Sequence, residues 1–178
     1  MPAPSNRPTP HVEVVPAGLE QQSVLANLLE LYAHDFSEFH PLRLGADGRF
    51  GYQQLSAYWS QPDHYPFLVK VDGNLAGLTL IKRSESAIQS GAIWDVAEFF
   101  IVRAYRRRGI GAAVAHEVWK KFRGRWEVRV MESNRTGSDF WSRAVASFSA
   151  VPIEPVVIER DGLYWRVFAF ESRDAAKD

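Results

Sequence analysis

Apolar positions recur along this chain with two periods, and the switches between them mark the elements. His11–Val15 alternates polar and apolar residues and predicts a first strand, closed by Pro16 and Gly18. Leu25, Leu28, Leu29 and Tyr32 share one stripe, so residues 19–36 predict a helix. Pro41, Gly45 and Gly48 mark a loop, and Tyr52, Leu55 and Trp59 anchor a shorter second helix over 50–59. Two apolar runs, 66–71 and 75–81, flank Asp72-Gly73-Asn74, a strong hairpin signal. After a polar loop at 84–91, Trp94–Val102 is almost wholly apolar and rich in β-branched and aromatic side chains, as a strand buried on both faces requires. Ile110, Ala113, Val114 and Val118 then fall on one helical face, Arg123-Gly124 stops that helix, and 126–131 returns as a strand. A helix between two strands implies a right-handed crossover and parallel pairing. A helix over 138–149 buries Phe140, Trp141, Ala144, Val145 and Phe148, and a second hairpin turns at Asp161-Gly162.

This order predicts a single α/β domain over 11–171. Its sheet is mixed and mostly antiparallel, with a central parallel strand pair and flanking helices. Pro2, Pro4, Pro8 and Pro10 predict a disordered tail over 1–10, and 172–178 reads as a polar tail.

Composition narrows the function. The chain has 178 residues, 46% of them hydrophobic, enough for one sizeable core. The formal net charge is zero, which argues against a general nucleic-acid or membrane-surface binder. With no cysteine there is no thiolate nucleophile and no cysteine metal site. No apolar run is long enough to span a bilayer and no signal segment opens the chain, so a cytoplasmic location is the expectation.

On this neutral background Arg106-Arg107-Arg108-Gly109-Ile110-Gly111-Ala112 stands out. The first N–H groups of a helix lack internal partners, and the helix dipole makes that end positive. Gly109 and Gly111 let a ligand approach the backbone, and the arginines add cations, so the turn suits a phosphate or pyrophosphate. A dinucleotide fingerprint needs a third glycine where Val114 stands, and a P-loop needs a Gly-Lys-Ser/Thr that is missing. A plain basic surface turn capping a helix is the bland alternative.

Arg106-x-x-Gly109-x-Gly111, after a buried strand and opening a helix, resembles the coenzyme A pyrophosphate loop of the GNAT (Gcn5-related) N-acetyltransferase family. The resemblance extends to Glu98–Val102 and Tyr105-Arg106 upstream, and to Asn134, Gly137, Phe140 and Trp141 downstream. It implies acetyl-coenzyme A as co-substrate, no metal, and a small-molecule or peptide amine as acceptor. It also implies that the two parallel strands splay, with the pantetheine arm in the gap against the backbone of Ile101, Val102 and Arg103. One strand N–H would stabilise the tetrahedral oxyanion.

Catalytic roles follow from the amine. Deprotonating an amine of pKa near 10.4 at pH 7 costs roughly 4–5 kcal/mol, so a general base is needed. Glu98, in an otherwise apolar strand where the family often carries an acid, is the first candidate, and Asp95 the second. Either is alternatively an ion-pair partner of a nearby arginine. Many family members carry an acidic tyrosine where this chain has Trp141, whose N–H is far too weak an acid. Tyr105, Tyr164, a water, or departure of the thiolate unprotonated remain as substitutes. Trp141 packs either on the pantetheine arm or in the core, and Asn134 bonds the coenzyme or caps a helix. The family places acceptor-binding residues near Asp35 and Glu38, which are otherwise solvated loop charges. His34 and Glu38 lie one helical turn apart, but no third metal ligand is spaced to join them. A non-catalytic acyl-coenzyme A or phosphate-ligand sensor on the same fold is the alternative function. The final hairpin offers edge strands for a possible homodimer.

Overall fold

The structure, a computed structural model, describes residues 9–173. Residues 1–8 and 174–178 lie outside the described residues, and most of both expected tails lies with them. Seven strands form one sheet: β1 (Val12–Pro16), β2 (His64–Val71), β3 (Asn74–Glu85), β4 (Ala92–Ile101), β5 (Gly124–Met131), β6 (Val156–Arg160) and β7 (Leu163–Ser172), in the order β1-β2-β3-β4-β5-β7-β6. Neighbours are antiparallel except β4 and β5, which are parallel. The mixed sheet with a central parallel pair is thus as expected. Both hairpins turn on Asp-Gly pairs with positive φ, 51° and 77° at Asp72-Gly73 and 54° and 75° at Asp161-Gly162. Positive φ at both central residues matches the twist of the flanking strands.

Among the described residues four α-helices flank the sheet: α1 (Gln22–Phe36), α2 (Ala57–Ser60), α3 (Ile110–Lys121) and α4 (Arg135–Ser149). Side chains alternate across a strand, so the sheet supplies two cores. On one face α3 and α4 bury Val114, Val118, Trp119, Trp141 and Val145 against Trp126, Val128 and Phe168. On the other, Leu25, Leu28 and Leu29 of α1 pack on Leu68, Leu78, Leu80 and Phe100. Fully burying each such leucine contributes ~1.5–3 kcal/mol. No described helix is long and apolar enough to cross a membrane.

Three boundaries differ from expectation. The predicted 50–59 helix shrinks to Ala57–Ser60, because the Glu30 carboxylate takes the amides of Phe50 (2.7 Å) and Gly51 (2.9 Å), and Gly51 is left-handed at φ 71°. Helix α4 starts at Arg135 rather than 138, because Asn134 caps it. Strand β7 includes Ser172, expected in the tail. It pairs with Gly124, and its hydroxyl donates to Trp119 O at 2.6 Å.

Candidate active site

Strand β4 leaves its parallel partner almost at once. The β4–β5 register holds only Trp94↔Trp126 and Asp95↔Glu127. On its other edge, β3 places Leu80 opposite Glu98 and Ile81 opposite Val96, so Ala97 is an extra residue, a β-bulge. Thr79, fully buried, fastens the bulge by donating from Oγ1 to Glu98 O at 3.1 Å. A bulge bends its strand and sharpens the twist, which turns the rest of β4 away from β5. A cavity of about 1300 Å³ opens beside the divergence, lined by Glu98–Ile101, by Arg107, Gly109, Gly111 and Ala112, and by Val130 and Met131 of β5.

Chain alternation decides which backbone groups face this opening. The Val102 N–H donates to Ala76 O on β3 at 2.8 Å, so Val102 is turned from the gap. Phe99 and Ile101, one residue out of phase, present their N–H groups to the open side. Of the expected contacts at Ile101, Val102 and Arg103, the Ile101 N–H is so placed and the Val102 N–H is not, while Arg103 lines the cavity. The Ile101 carbonyl accepts from Arg106 Nε at 2.6 Å.

At one end stands the glycine–arginine turn. Arg107 (φ 59°) and Gly109 (φ 77°) are both left-handed, which wraps the chain tightly into α3. The first bond of that helix runs from Ala113 N to Gly109 O, and among the described residues no side chain caps its start. The N–H groups of Ile110, Gly111 and Ala112 precede that bond and need outside acceptors. Arg107 and Arg108 are exposed beside them. Ile110's side chain is buried core, and Arg108 leans over the Tyr105 ring, 6.0 Å from its centre. Arg106 behaves differently from expectation. Its guanidinium bonds Asp35 Oδ2 at 2.5 Å as well as Ile101 O, so it ties the turn to the end of α1. Arg103 bonds Asp35 Oδ1 at 2.6 Å. Partial burial pushes the Asp35 carboxyl up, but these guanidinium bonds outweigh it and hold it below the usual carboxylate range. Asp35 therefore already holds two internal cations, while Glu38 lines the cavity and is exposed.

At the other end is Glu98. It is half-buried between Tyr32 of α1 and Tyr52 of the following loop, whose hydroxyls donate to it. Burial pushes its carboxyl above the usual range; the two hydroxyl bonds pull it back only in part. Burial and the Glu98 charge likewise raise Tyr32 and Tyr52, so neither phenol is a ready proton source. Tyr105 and Tyr164 do not line the cavity. Asp95, the second base candidate, is fully buried outside the lining, with Arg129 Nη2 at 2.5 Å from Oδ2. Burial raises its carboxyl against the pull of Arg129.

The remaining expected residues sit on α4. Asn134 Oδ1 accepts from Gly137 N at 2.8 Å. A Cβ at Gly137 would lie 2.7 Å from the Asn134 amide, so glycine there makes room for the cap. Trp141 packs against Phe99 (4.9 Å) and Phe140 (4.7 Å), with one edge on the cavity. His34 is close to Asp35 at 3.9 Å, and among the described residues no group of three metal-ligating side chains forms. The site contains three residues that the sequence did not single out for chemistry: Tyr32, Tyr52 and Arg129. For Arg129 the available signal was charge: Glu127 and Arg129 alternate with apolar residues on the 126–131 strand.

Residues 25–145 match the family model described as Acetyltransferase (GNAT) family. Arabidopsis thaliana NAA60 in complex with a bisubstrate analogue superposes with a TM-score of 0.60 at 18% identity, over 90% of this chain and 98% of that one. An acetyltransferase from Thermus thermophilus gives 0.60 at 16% identity, over 89% and 97%. The Salmonella typhimurium protein yncA, a putative acetyltransferase with its cofactor acetyl-CoA, gives 0.60 at 10% identity, over 93% and 96%. At these identities the likeness concerns the fold. No curated protein matches the sequence.

Proposed function

The chain belongs to the GNAT acetyltransferase family, and from that premise we propose that it transfers an acetyl group from acetyl-coenzyme A to a primary amine. The observation that carries this reading is the continuity of the cavity, from the turn at Arg107–Ala112 to the Glu98 carboxyl. The turn fits a diphosphate: the unpaired amides of Ile110, Gly111 and Ala112 point outward, and Arg107 and Arg108 supply charge. Arg106 and Arg103, which also line the cavity, bond Asp35 and so tie the turn to the end of α1. Trp141 and Phe140 form an apolar wall for the pantetheine arm. Acetyl-coenzyme A supplies the activated acetyl group.

Glu98 is the general base. Its raised carboxyl lies closer to neutrality than an ordinary glutamate, which improves its taking a proton from the acceptor ammonium, directly or through a water, and so frees the neutral amine to attack. Tyr32 and Tyr52 position it and stay protonated. The Phe99 N–H, on the open edge of β4, donates to the developing oxyanion. The sulfur leaves as thiolate, consistent with a thiol pKa near 8.5 and with no cavity-lining tyrosine free to act as acid. A carboxyl framed at the far end of the cavity favours transfer over the sensor alternative. An amine-panel assay with acetyl-coenzyme A tests the reading: acetylated product should form with the intact chain, and coenzyme turnover with no amine of the panel would contradict it.

A further inference from the structure

Around Glu98 the same cavity is also lined by the end of α1 and by residues of β5, β7 and β6. Phe36, Phe39 and Leu42 form one wall; Ile158, Leu163 and Trp165 form the other. Of the arginines that line the cavity, Arg129 sits where this apolar cleft meets the fork of the splayed strands, whereas Arg43 and Arg160 lie at the cleft's walls beside Leu42 and Asp161. The Arg129 side chain is 29% exposed, and one Nη donates to Asp95 at 2.5 Å. Asp95 is wholly buried, so it splints the guanidinium in place. A guanidinium has five N–H donors in a planar fork. The bond to Asp95 leaves most of them with no acceptor among the described residues, on a side chain that lines the cavity.

The acids nearby are accounted for. Glu30 holds the amides of Phe50 and Gly51, Asp35 holds Arg103 and Arg106, and Asp161 lies 3.7 Å from Arg160. Glu127 holds the Ser86 hydroxyl and the Ala87 amide. Glu98 takes the two tyrosines. Glu38 is at the exposed rim. We infer that Arg129 reads a carboxylate on the acceptor, and that the acceptor is therefore a free amino acid with an apolar side chain. Its amine faces Glu98, its carboxylate completes the Arg129 fork, and its side chain enters the aromatic cleft. This rests on the acetyltransferase reading of the same site.

The test uses the full chain, acetyl-coenzyme A and three matched acceptors: phenylalanine, phenylalaninamide and 2-phenylethylamine. Product is identified by mass, and coenzyme A binding is measured separately by calorimetry. Phenylalanine should exceed the other two in kcat/KM by about 10–100-fold, the value of a charge-assisted fork. Arg129→Gln should bring the kcat/KM ratio of phenylalanine to the two carboxylate-free acceptors down toward one, with coenzyme A still bound. Arg129→Lys, which keeps the Asp95 partner should Arg129→Gln fold poorly, should lose part of the preference through loss of the fork. Equal or better use of the amide, the analogue of a peptide N-terminus, overturns the inference. So does an equal loss on all three acceptors in Arg129→Gln. Coenzyme binding with transfer to none of the three overturns it too, yet leaves the coenzyme site standing. Absent coenzyme binding would instead remove the acetyltransferase reading itself.

Discussion

The glycine–arginine turn and the Glu98 pocket face one cavity but are built by opposite rules. The turn is a run of consecutive residues whose shape is set by its own backbone, left-handed at Arg107 and Gly109. The pocket is assembled from a strand, a helix and a loop, with Tyr32 and Tyr52 reaching Glu98 across the sheet face. The turn presents donors fixed by helix geometry, suited to uniform binding. The pocket perturbs one proton equilibrium by burial, suited to a chemical step. Binding and chemistry should therefore separate under mutation.

Glu98→Gln should produce the largest effect, a loss of roughly 10²–10⁴-fold in kcat with coenzyme A affinity unchanged by calorimetry. The pH profile sharpens this. The base must be deprotonated, so wild-type activity falls as pH drops through a carboxyl value raised above the usual glutamate range, and the variant lacks that limb. The stability sign is opposite. A folded-state value above the unfolded one means the folded chain holds its proton more tightly, so stability falls as pH rises through that window. At neutral pH Glu98→Gln should melt no lower than the parent. Tyr52→Phe removes a bond that lowers the Glu98 value, so the acid limb should move to higher pH, with neutral turnover down severalfold and coenzyme binding intact.

On the other side of the comparison, Gly109→Val places a β-branched residue at φ 77°. Strain of ~1–3 kcal/mol there should weaken coenzyme A binding about tenfold or more, with the loss read in Kd. Asn134→Ala is the smallest change: loss of the α4 cap should cost ~1 kcal/mol of stability, read by denaturant midpoint, with little effect on Kd.

The same contrast explains what was legible in the sequence. The Asp-Gly hairpins, the 110–121 helix and the parallel pair were read from local pattern, and the structure has them. The turn was legible because its chemistry is contiguous. Glu98 stood out as a lone acid among apolar residues, but its tyrosines did not, since each looks like an ordinary helix or loop aromatic until the fold brings them together. The Asp35 carboxylate that holds Arg106 was not legible, because it is distant in sequence and no local pattern joins the two. The 50–59 segment misled: Glu30 captures its first amides, a contact no local periodicity encodes.

The most direct test is a calorimetric titration of the intact chain with coenzyme A beside one with pantetheine, which lacks the diphosphate. If the amides of Ile110, Gly111 and Ala112 with Arg107 and Arg108 grip that diphosphate, coenzyme A binds one per chain and more weakly as salt rises, while pantetheine binds at least ~100-fold more weakly. Equal binding of the two, or none of either, would contradict it.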